Sequence, residues 1–194
     1  MTDLSPVEIA KAKLRQQASA RRAELDYSDR TEAAKAAAVH FVGGIDIPDG
    51  AVIAAYWPIR DEIDCKPLLA HLMDSFKTVC LPVVLGDGQP LQFRVWELGE
   101  SLFEAGFGTL APSETAPRTE PDIVIVPLLG FDKTGTRLGY GKGYYDRTLE
   151  TMSKKPVLVG YAFAAQELTE IPHEDHDVPL DYLVTEAGVR RFSN

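Results

Sequence analysis

Apolar residues follow two different periods along the chain, and the two kinds of segment alternate. Short runs rich in β-branched and aromatic residues predict β-strands, at Ala51–Trp57, Thr78–Val84, Leu91–Trp96, Ile123–Val126, Val157–Phe163 and Asp181–Thr185. Segments with apolar residues three or four apart predict α-helices, at Pro6–Leu25, from a cap at Ser28 or Asp29 to about Val42, at Lys66–Phe76 and at Lys142–Met152. Because strands alternate with helices, we expect a three-layer α/β domain with a mostly parallel sheet flanked by helices. The turn Gly86-Asp87-Gly88 predicts an antiparallel hairpin element within it.

The remaining segments follow neither period. Gly99–Glu120 predicts a long surface loop, and Arg190–Arg191 a tail after the last strand. The two histidines of His173-Glu-Asp-His176-Asp177 suggest a metal site, but they lack the HExxH spacing that places two histidines on one helix face. The prolines on both sides favour an acidic loop instead.

The composition is ordinary for a globular protein, and it excludes several classes. With 194 residues, of which 45% are hydrophobic and 25% charged, the chain predicts a single domain over residues 1–194. No apolar run approaches the roughly 20 residues that span a bilayer, and a net charge of −9 disfavours nucleic-acid binding. The two cysteines lack metal-site spacing, and the N-terminus lacks the apolar core of a signal peptide. We therefore expect a cytoplasmic monomer with reduced thiols and no membrane or nucleic-acid partner.

Basic residues concentrate in one glycine-rich segment, LGFDKTGTRLGYGKGYYDR, from Leu129 to Arg147. Glycines let backbone N–H groups approach a ligand closely, and a helix that follows such a loop attracts anions to its amino end. The segment matches neither a Walker A loop nor GxGxxG, so a glycine-rich turn with solvated charges is the alternative. Tyrosines stand among the glycines, and aromatic rings beside a phosphate site can stack on a base or a pterin. These features favour an anion-binding loop.

Three groups of charged residues extend this picture. Lys142 and Asp146 would lie one turn apart at a helix start, where they suit a nucleotide's phosphates and a bridging Mg²⁺. The run Arg60–Asp64 follows a predicted strand, at the end where open α/β sheets bind ligands. The first helix also carries basic residues, either solvated or directed at the phosphate site, namely Lys11, Lys13, Arg15, Arg21 and Arg22.

Taken together, these motifs resemble one known family. GTRLGYGKGYYDR, preceded by PLLGFDKTG and followed by HDVPLDYLVT, is similar to the 5-formyltetrahydrofolate cyclo-ligase (5,10-methenyltetrahydrofolate synthetase) family. Lys11–Arg15 and Asp61–Asp64 match it too, so the resemblance covers nearly the whole chain. It implies ATP-dependent cyclisation of 5-formyltetrahydrofolate to 5,10-methenyltetrahydrofolate, with Mg²⁺ as cofactor and an iminium phosphate intermediate. It also implies a CoA-transferase-like α/β scaffold.

The resemblance implies a role for each matching residue. Lys142 and Arg137 would be the catalytic cations. ATP would be bound by Lys11 and Arg15 (or Lys13 in a shifted alignment) and by Arg137, Leu138, Gly139, Tyr140, Gly141, Lys142, Gly143, Tyr144 and Tyr145. The folate substrate would be bound by Trp57, Glu62, Tyr140, Gly141, Lys142, Gly143 and Tyr144. Asp146 and Asp181 would hold Mg²⁺, although a strand-start role explains Asp181 equally well. Some relatives have arginine where Tyr140 stands, which removes one cation here.

Two other classes of function compete with this interpretation. A folate-binding protein without turnover would need neither Lys142 nor Asp146, because a neutral pterin carries no phosphate. A sugar-phosphate isomerase or a CoA transferase would need a positioned general base or a carboxylate nucleophile. No candidate for either stands out in the sequence.

Overall fold

The computed structural model describes residues 5–75, 77–106, 108–174 and 177–193. Its helices are α1 Pro6–Ala23, α2 Tyr27–Gly44, α3 Lys66–Asp74 and α4 Tyr144–Thr151, with a 3₁₀ turn at Ala164–Gln166. Its strands are β1 Val52–Ala54, β2 Thr78–Val83, β3 Gln92–Val95, β4 Phe103–Glu104, β5 Leu110–Ala111, β6 Ile123–Pro127, β7 Gly130–Phe131, β8 Arg137–Leu138, β9 Val157–Tyr161, β10 Tyr182–Thr185 and β11 Gly188–Arg191. Phe76, the predicted end of α3, and Asp175 and His176 of the predicted acidic loop lie outside the described residues. No helix in the described ranges has both the length and the apolarity that crossing a bilayer requires.

Within the described part of the chain, the main sheet has seven strands in the order β11-β10-β9-β6-β1-β2-β3. The five central strands run parallel, and the edge strands β3 and β11 run antiparallel to their neighbours. After β1 the chain adds β2 on the side of β1 that faces away from β6, whereas after β6 it adds β9 and β10 on the opposite side of the sheet. The direction in which successive strands are added therefore reverses between β1 and β6. Ligands of open α/β sheets bind beyond the carboxyl ends of the strands at such a switch point.

Helices cover both faces of the sheet, as predicted. Phe41 of α2 and Leu68 of α3 belong to one apolar cluster, which also contains Ile125 of β6. The next residue of β6, Val126, belongs to a second cluster, against which Tyr145 of α4 packs. Alternate residues of a central strand thus face opposite layers, and both faces are buried. The prediction of a mostly parallel sheet between helical layers is confirmed.

The first helix packs against segments that follow the strands. Its start is fixed by a capping box, in which the Ser5 hydroxyl accepts from the Glu8 N–H and the Glu8 carboxylate accepts from the Ser5 N–H. Ala18 then packs in a small third cluster with Leu129 and Leu138 of the glycine-rich segment. This packing brings the basic side of α1 to the glycine-rich segment.

The predicted start of the last helix was wrong by two residues. Gly143 has φ +62°, a left-handed conformation outside the helical region, so α4 begins at Tyr144 rather than at Lys142. Lys142 and Asp146 consequently do not share a helical face. The upstream part of the segment is also structured, because β7 and β8 form a short antiparallel hairpin.

Two other predictions were wrong in regions of short strands. Gly99–Glu120, predicted as a loop, contains the antiparallel pair β4 and β5. Arg190–Arg191, predicted as a tail, ends the edge strand β11, which pairs with β10. Strands as short as β4 and β5 carry too few residues for a period of two to be detected.

The bounds of α2 also differ from the prediction. The helix begins at Tyr27, one residue before Ser28, which was the first of the two predicted caps, and its last turn includes Gly43 and Gly44.

Candidate active site

A cavity of about 550 Å³ opens at the switch point between β1 and β6. Tyr56 and Trp57 line it just beyond the end of β1, and Pro127 lines it at the end of β6. The helix α1 and the whole stretch 137–147 form further walls. The residues predicted from the sequence to bind ATP, folate or Mg²⁺ line this cavity, with the exceptions of Asp181 and of Lys13, the alternative nucleotide contact on α1.

The first helix holds the glycine-rich segment in place through Arg15. The Arg15 Nε–H donates to the Gly139 carbonyl at 3.0 Å, and the guanidinium lies directly against Gly141. A Cβ on Gly141 would stand 3.0 Å from Arg15 Cζ, and its φ of +89° is one that other residues rarely adopt. Glycine is therefore required here both for the backbone conformation and for the close approach of α1.

Lys11 lies in the same helix, one turn before Arg15, and is 94% buried. Its ammonium pairs with the carboxylate of Asp177 and lies 3.5 Å from that of Glu174. Lys13 is exposed and does not line the cavity, so Lys11 and Arg15 are the basic residues of α1 that line it. The described part of the predicted acidic loop thus pairs with a cavity cation, a role that its own sequence did not indicate.

The side of the cavity that carries Lys142 is open to solvent. The Lys142 side chain is 52% exposed, and its ammonium lies 3.5 Å from Asp87 in the β2–β3 turn. Arg147 donates to the Lys142 carbonyl, and its guanidinium lies 5.5 Å from the centre of the Tyr144 ring. This arrangement presents exposed positive charge beside the backbone of a glycine loop, which suits an incoming polyphosphate.

Deeper in the wall, Arg137 and Asp146 form an ion pair. Their side chains are 9% and 18% exposed. Asp146 Oδ1 also accepts from the Val178 N–H at 3.4 Å. In the part of the chain that the structure describes, the buried Arg137 Nε–H has no hydrogen-bond partner. The sequence predicted both residues for the site but did not predict that they pair with each other.

The opposite wall carries Glu62, which is 91% buried. Its Oε1 accepts from the Tyr140 hydroxyl at 2.8 Å, and its Oε2 accepts from the Ile59 N–H at 2.9 Å. Arg60, in the turn between Ile59 and Glu62, has φ +54°, a strained value for a non-glycine residue. Trp57 packs edge-on against Trp96, with ring centroids 5.7 Å apart. A fixed carboxylate beside aromatic rings suits a flat ligand with a donor edge.

Burial and hydrogen bonding act in opposite directions on the acidic groups of this wall. Burial raises the pKa of Glu62 above its ordinary value, although hydrogen bonds from Ile59 and Tyr140 and the charge of Arg22 oppose the rise. Burial would also raise the pKa of Asp61, but its hydrogen bond and charge interaction with Arg22 outweigh that effect and lower it. Burial raises the pKa of the Tyr140 phenol, which therefore keeps its proton at neutral pH.

Comparison with known proteins identifies the family. The sequence model of the 5-formyltetrahydrofolate cyclo-ligase family matches residues 7–186. The chain belongs to this family. It is 34% identical to a 5-formyltetrahydrofolate cyclo-ligase of Haemophilus influenzae over 170 residues, which cover 84% of this chain and 91% of that protein. It is 31% identical to the cyclo-ligase of Escherichia coli over 175 residues, which cover 87% of this chain and 96% of that protein.

Solved structures of cyclo-ligase relatives have the same fold. The Aquifex aeolicus 5,10-methenyltetrahydrofolate synthetase superposes with a TM-score of 0.82 at 30% identity and covers 95% of this chain and 93% of its own. The Mycoplasma pneumoniae synthetase superposes with a TM-score of 0.74 at 25% identity, covering 91% and 98% respectively. The protein is therefore a ligase of this family, and the resemblance inferred from the glycine-rich motif is confirmed.

Arg22 supports the site of this cyclo-ligase, although its sequence context did not predict that role. Arg22 is 1% exposed and donates to Asp61 at 2.7 Å and to the Tyr140 hydroxyl at 2.9 Å. A signal was available, because Lys11, Arg15 and Arg22 are spaced four and seven residues apart and share one helix face. Grouping all five basic residues of α1 as one patch concealed that face.

Only one of the two predicted metal ligands fits a role at this cyclo-ligase site. The described residues contain no group of three or more His, Cys, Asp or Glu side chains that could hold a metal ion. A nucleotide-bound Mg²⁺ needs only one or two carboxylates, because phosphate oxygens and waters complete its octahedron. Asp146, in the cavity wall, fits that role. Asp181 does not, because its carboxylate accepts from the Leu158 N–H at 2.8 Å and does not line the cavity.

Proposed function

We propose that this protein catalyses the ATP- and Mg²⁺-dependent cyclisation of 5-formyltetrahydrofolate to 5,10-methenyltetrahydrofolate, with release of ADP and phosphate. The observation that carries the proposal is that one cavity of about 550 Å³ contains both the Glu62 carboxylate and the cations of the glycine-rich segment. Membership of the cyclo-ligase family supports the same reaction. Two chemically different ligands would meet in this space, a pterin at one wall and a triphosphate at the other.

The pterin would bind at the Glu62 wall. Its amino group and its neighbouring ring N–H form a donor edge that matches the two oxygens of a carboxylate. Glu62 is fixed through both oxygens, so the orientation needed for this pairing exists before the substrate arrives. Trp57 and Tyr140, which line the same wall, supply aromatic surface for the bicyclic ring.

The triphosphate would bind at the glycine-rich wall. Lys142 and Arg137 would neutralise the γ-phosphate, and the N–H groups of Gly139–Gly143 would add hydrogen bonds. Lys11 and Arg15 would reach the nucleotide from α1. Asp146 would hold Mg²⁺, which when bound would neutralise part of the negative charge of the triphosphate.

The reaction needs positioning and charge neutralisation rather than a protein nucleophile. The formyl oxygen attacks the γ-phosphorus, the bond from that phosphorus to the bridging oxygen breaks, and ADP leaves with the electron pair. The formyl carbon is then part of an iminium phosphate. N10 attacks this carbon and loses its proton, and the C–O bond breaks as phosphate leaves. The N5–C–N10 bridge of the product remains.

We further propose that the active unit is a cytoplasmic monomer. Residues of a single chain supply the cavity walls described above. Cys65 and Cys80 are free and buried, which is consistent with a reducing compartment. A molar mass of about one chain by light scattering, with full activity at that mass, is the expected result; an active dimer with an inactive monomer would contradict it.

The activity is tested by incubating the purified protein with 5-formyltetrahydrofolate, ATP and Mg²⁺ and following the ultraviolet absorbance of the methenyl product. We expect one ADP per product molecule and no product when ATP is omitted or the metal is chelated. Folate binding without turnover would instead support a binding protein. Failure both to bind the folate and to consume ATP would refute the proposal.

A further inference from the structure

Arg22 is the most deeply buried charged side chain in the described part of the protein, at 1% exposure. A guanidinium is rarely buried unless partners compensate for the lost water. Arg22 has three, the Asp61 carboxylate at 2.7 Å, the Tyr140 hydroxyl at 2.9 Å and the Leu128 carbonyl at 3.3 Å. Asp61 alone would balance its charge. The contact with Tyr140 therefore requires a separate explanation.

The chemistry of these groups fixes the direction of the hydrogen bonds. Arginine carries only donors, so the Tyr140 oxygen must accept from Arg22. A phenol has a single proton, and in this geometry the proton is donated to Glu62 Oε1. The Ile59 N–H occupies Glu62 Oε2 in the same way. Both Glu62 oxygens thus serve as acceptors, and each retains a lone pair for a ligand.

We propose that Arg22 is a positioning residue for the folate substrate, which acts through Tyr140 to hold the Glu62 carboxylate in the orientation that receives the pterin's donor edge. This inference rests on the proposed function, because it takes Glu62 as the pterin's partner. Arg22 itself need not touch either substrate. Its effect should therefore appear in folate binding and should depend on the Tyr140 hydroxyl.

The pH dependence of folate binding reports on this chain of hydrogen bonds. The titratable and charged groups around Glu62 come from several elements: Arg22 of α1, Arg60 and Asp61 next to it in the chain, Tyr56 and Cys65 between β1 and α3, Tyr140 of the glycine-rich segment and Tyr145 of α4. Tyr140 and Arg22 oppose the rise in the Glu62 pKa that burial causes. Their removal should raise that pKa further, so folate binding should fail at a higher pH on acidification.

The test is a set of single and double variants assayed for KM of both substrates between pH 5 and 8. Tyr140→Phe removes the connecting hydroxyl and leaves the pair of Arg22 with Asp61 intact, so it avoids an unpaired buried charge. We expect its folate KM to rise about tenfold, the size of one hydrogen bond to a charged group, while its ATP KM changes less than about twofold. In a plot of folate KM against pH, the rise in KM on acidification should begin at a higher pH than in the wild type.

Arg22→Lys keeps a charge for Asp61 but loses the fork that reaches Tyr140. We expect it to raise the folate KM in the wild-type background. It should have little further effect when Tyr140→Phe is already present, because Arg22 acts on Glu62 only through the Tyr140 hydroxyl. Arg21→Gln is the matched control, since Arg21 is exposed and contacts only a carbonyl of Glu167 among the described residues. It should leave both KM values unchanged.

Glu62→Gln distinguishes a failure of the positioning role of Arg22 from a failure of the proposed folate site at Glu62. If Glu62→Gln leaves the folate KM unchanged, the pterin assignment is wrong and the role of Arg22 is wrong with it. If Glu62→Gln raises the folate KM but Tyr140→Phe and Arg22→Lys do not, only the positioning role is overturned. Equal effects of Arg22→Lys with and without the Tyr140 hydroxyl would also overturn it.

Discussion

The Glu62 wall is backed by a buried ion pair, whereas the glycine-rich wall also carries an exposed one. Behind Glu62, the side chains of Arg22 and Asp61, which do not themselves line the cavity, are 1% and 19% exposed. On the glycine-rich wall, the side chains of Lys142 and Asp87 are 52% and 73% exposed, and their charged atoms lie 3.5 Å apart. In a buried ion pair, loss of one partner leaves an unpaired charge in the interior and is costly. An exposed ion pair contributes only about 0–1 kcal/mol to stability, and its charges can readily pair with a ligand instead.

This difference matches the ligands that the walls are proposed to bind. A pterin has a defined shape and little charge, so a preorganised carboxylate reduces the entropy lost on binding. A triphosphate arrives with its own charge and metal ion, and exposed cations raise its local concentration before contact. Substitution of the exposed Lys142 on the glycine-rich wall should therefore change catalysis with little effect on folding, whereas the buried pair of Arg137 and Asp146 on the same wall contributes to stability as well. Substitutions on the Glu62 wall should affect both.

Lys142→Ala should have the largest effect on turnover. Removing a cation that stabilises charge in the transition state lowers kcat by about 10²–10³-fold. The unfolding midpoint should stay unchanged, because the Lys142 side chain is half-exposed. Initial rates of product formation and a thermal melt measure the two effects. Lys133→Ala, at an exposed position outside the cavity, is the control and should keep wild-type turnover.

Asp146→Asn should affect both metal dependence and stability. We expect the Mg²⁺ concentration for half-maximal turnover to rise about 10- to 100-fold. Because the partner Arg137 is largely buried, the free energy of unfolding should also fall by about 2 kcal/mol. Arg137→Gln breaks the same pair and should lower stability similarly without shifting the Mg²⁺ midpoint; a shift in both variants would argue against Asp146 as the metal ligand.

Asp61→Asn should reduce stability, because it leaves Arg22 without its charged partner in the interior. We expect the free energy of unfolding to fall by about 2–3 kcal/mol in urea titrations at pH 7. The folded state lowers the pKa of Asp61, so its contribution is fully present above the ordinary value of 3.8 and is lost as pH falls below it. The difference between wild type and variant should therefore shrink on acidification. Glu32→Gln, which breaks an exposed pair with Lys35, should change stability by no more than about 0.5 kcal/mol.

Asp87→Asn should have the smallest effect. Asp87 attracts the Lys142 ammonium and so competes with phosphate, but both side chains are exposed. An exposed pair is worth about 0.5 kcal/mol, so the KM for ATP should fall about twofold. The change should vanish at high ionic strength, where exposed charges are screened. A large rise in the ATP KM would mean that Asp87 supports the nucleotide site instead.

A site residue could be predicted when neighbouring residues in the sequence indicated its role, and could not be predicted when its role depended on a partner distant in the chain. The glycine-rich segment was found because its residue types indicate its chemistry, whereas Glu62, Lys11 and Arg15 were assigned to the site because the short motifs around them resemble the family. Asp177 and the partners of Arg22 were not found, because Asp177 lies 166 residues from Lys11, and Asp61 and Tyr140 lie 39 and 118 residues from Arg22 in the chain. Sequence spacing gives no measure of such distances before the layers are assembled. The start of α4 is an intermediate case, since a glycine at position 143 was a local reason to begin the helix later.

The sequence by itself determined the alternation of strands and helices, the place of the glycine-rich segment after a buried strand, and the family. These follow from side-chain period and backbone freedom, which act over a few residues. Only the tertiary structure decided that α1 lies against the glycine-rich segment, that Arg22 is buried while Lys142 is exposed, and that Asp181 supports a strand instead of lining the cavity. Burial and pairing depend on which segments pack together, and that packing is set by the sheet order and the helices on its two faces.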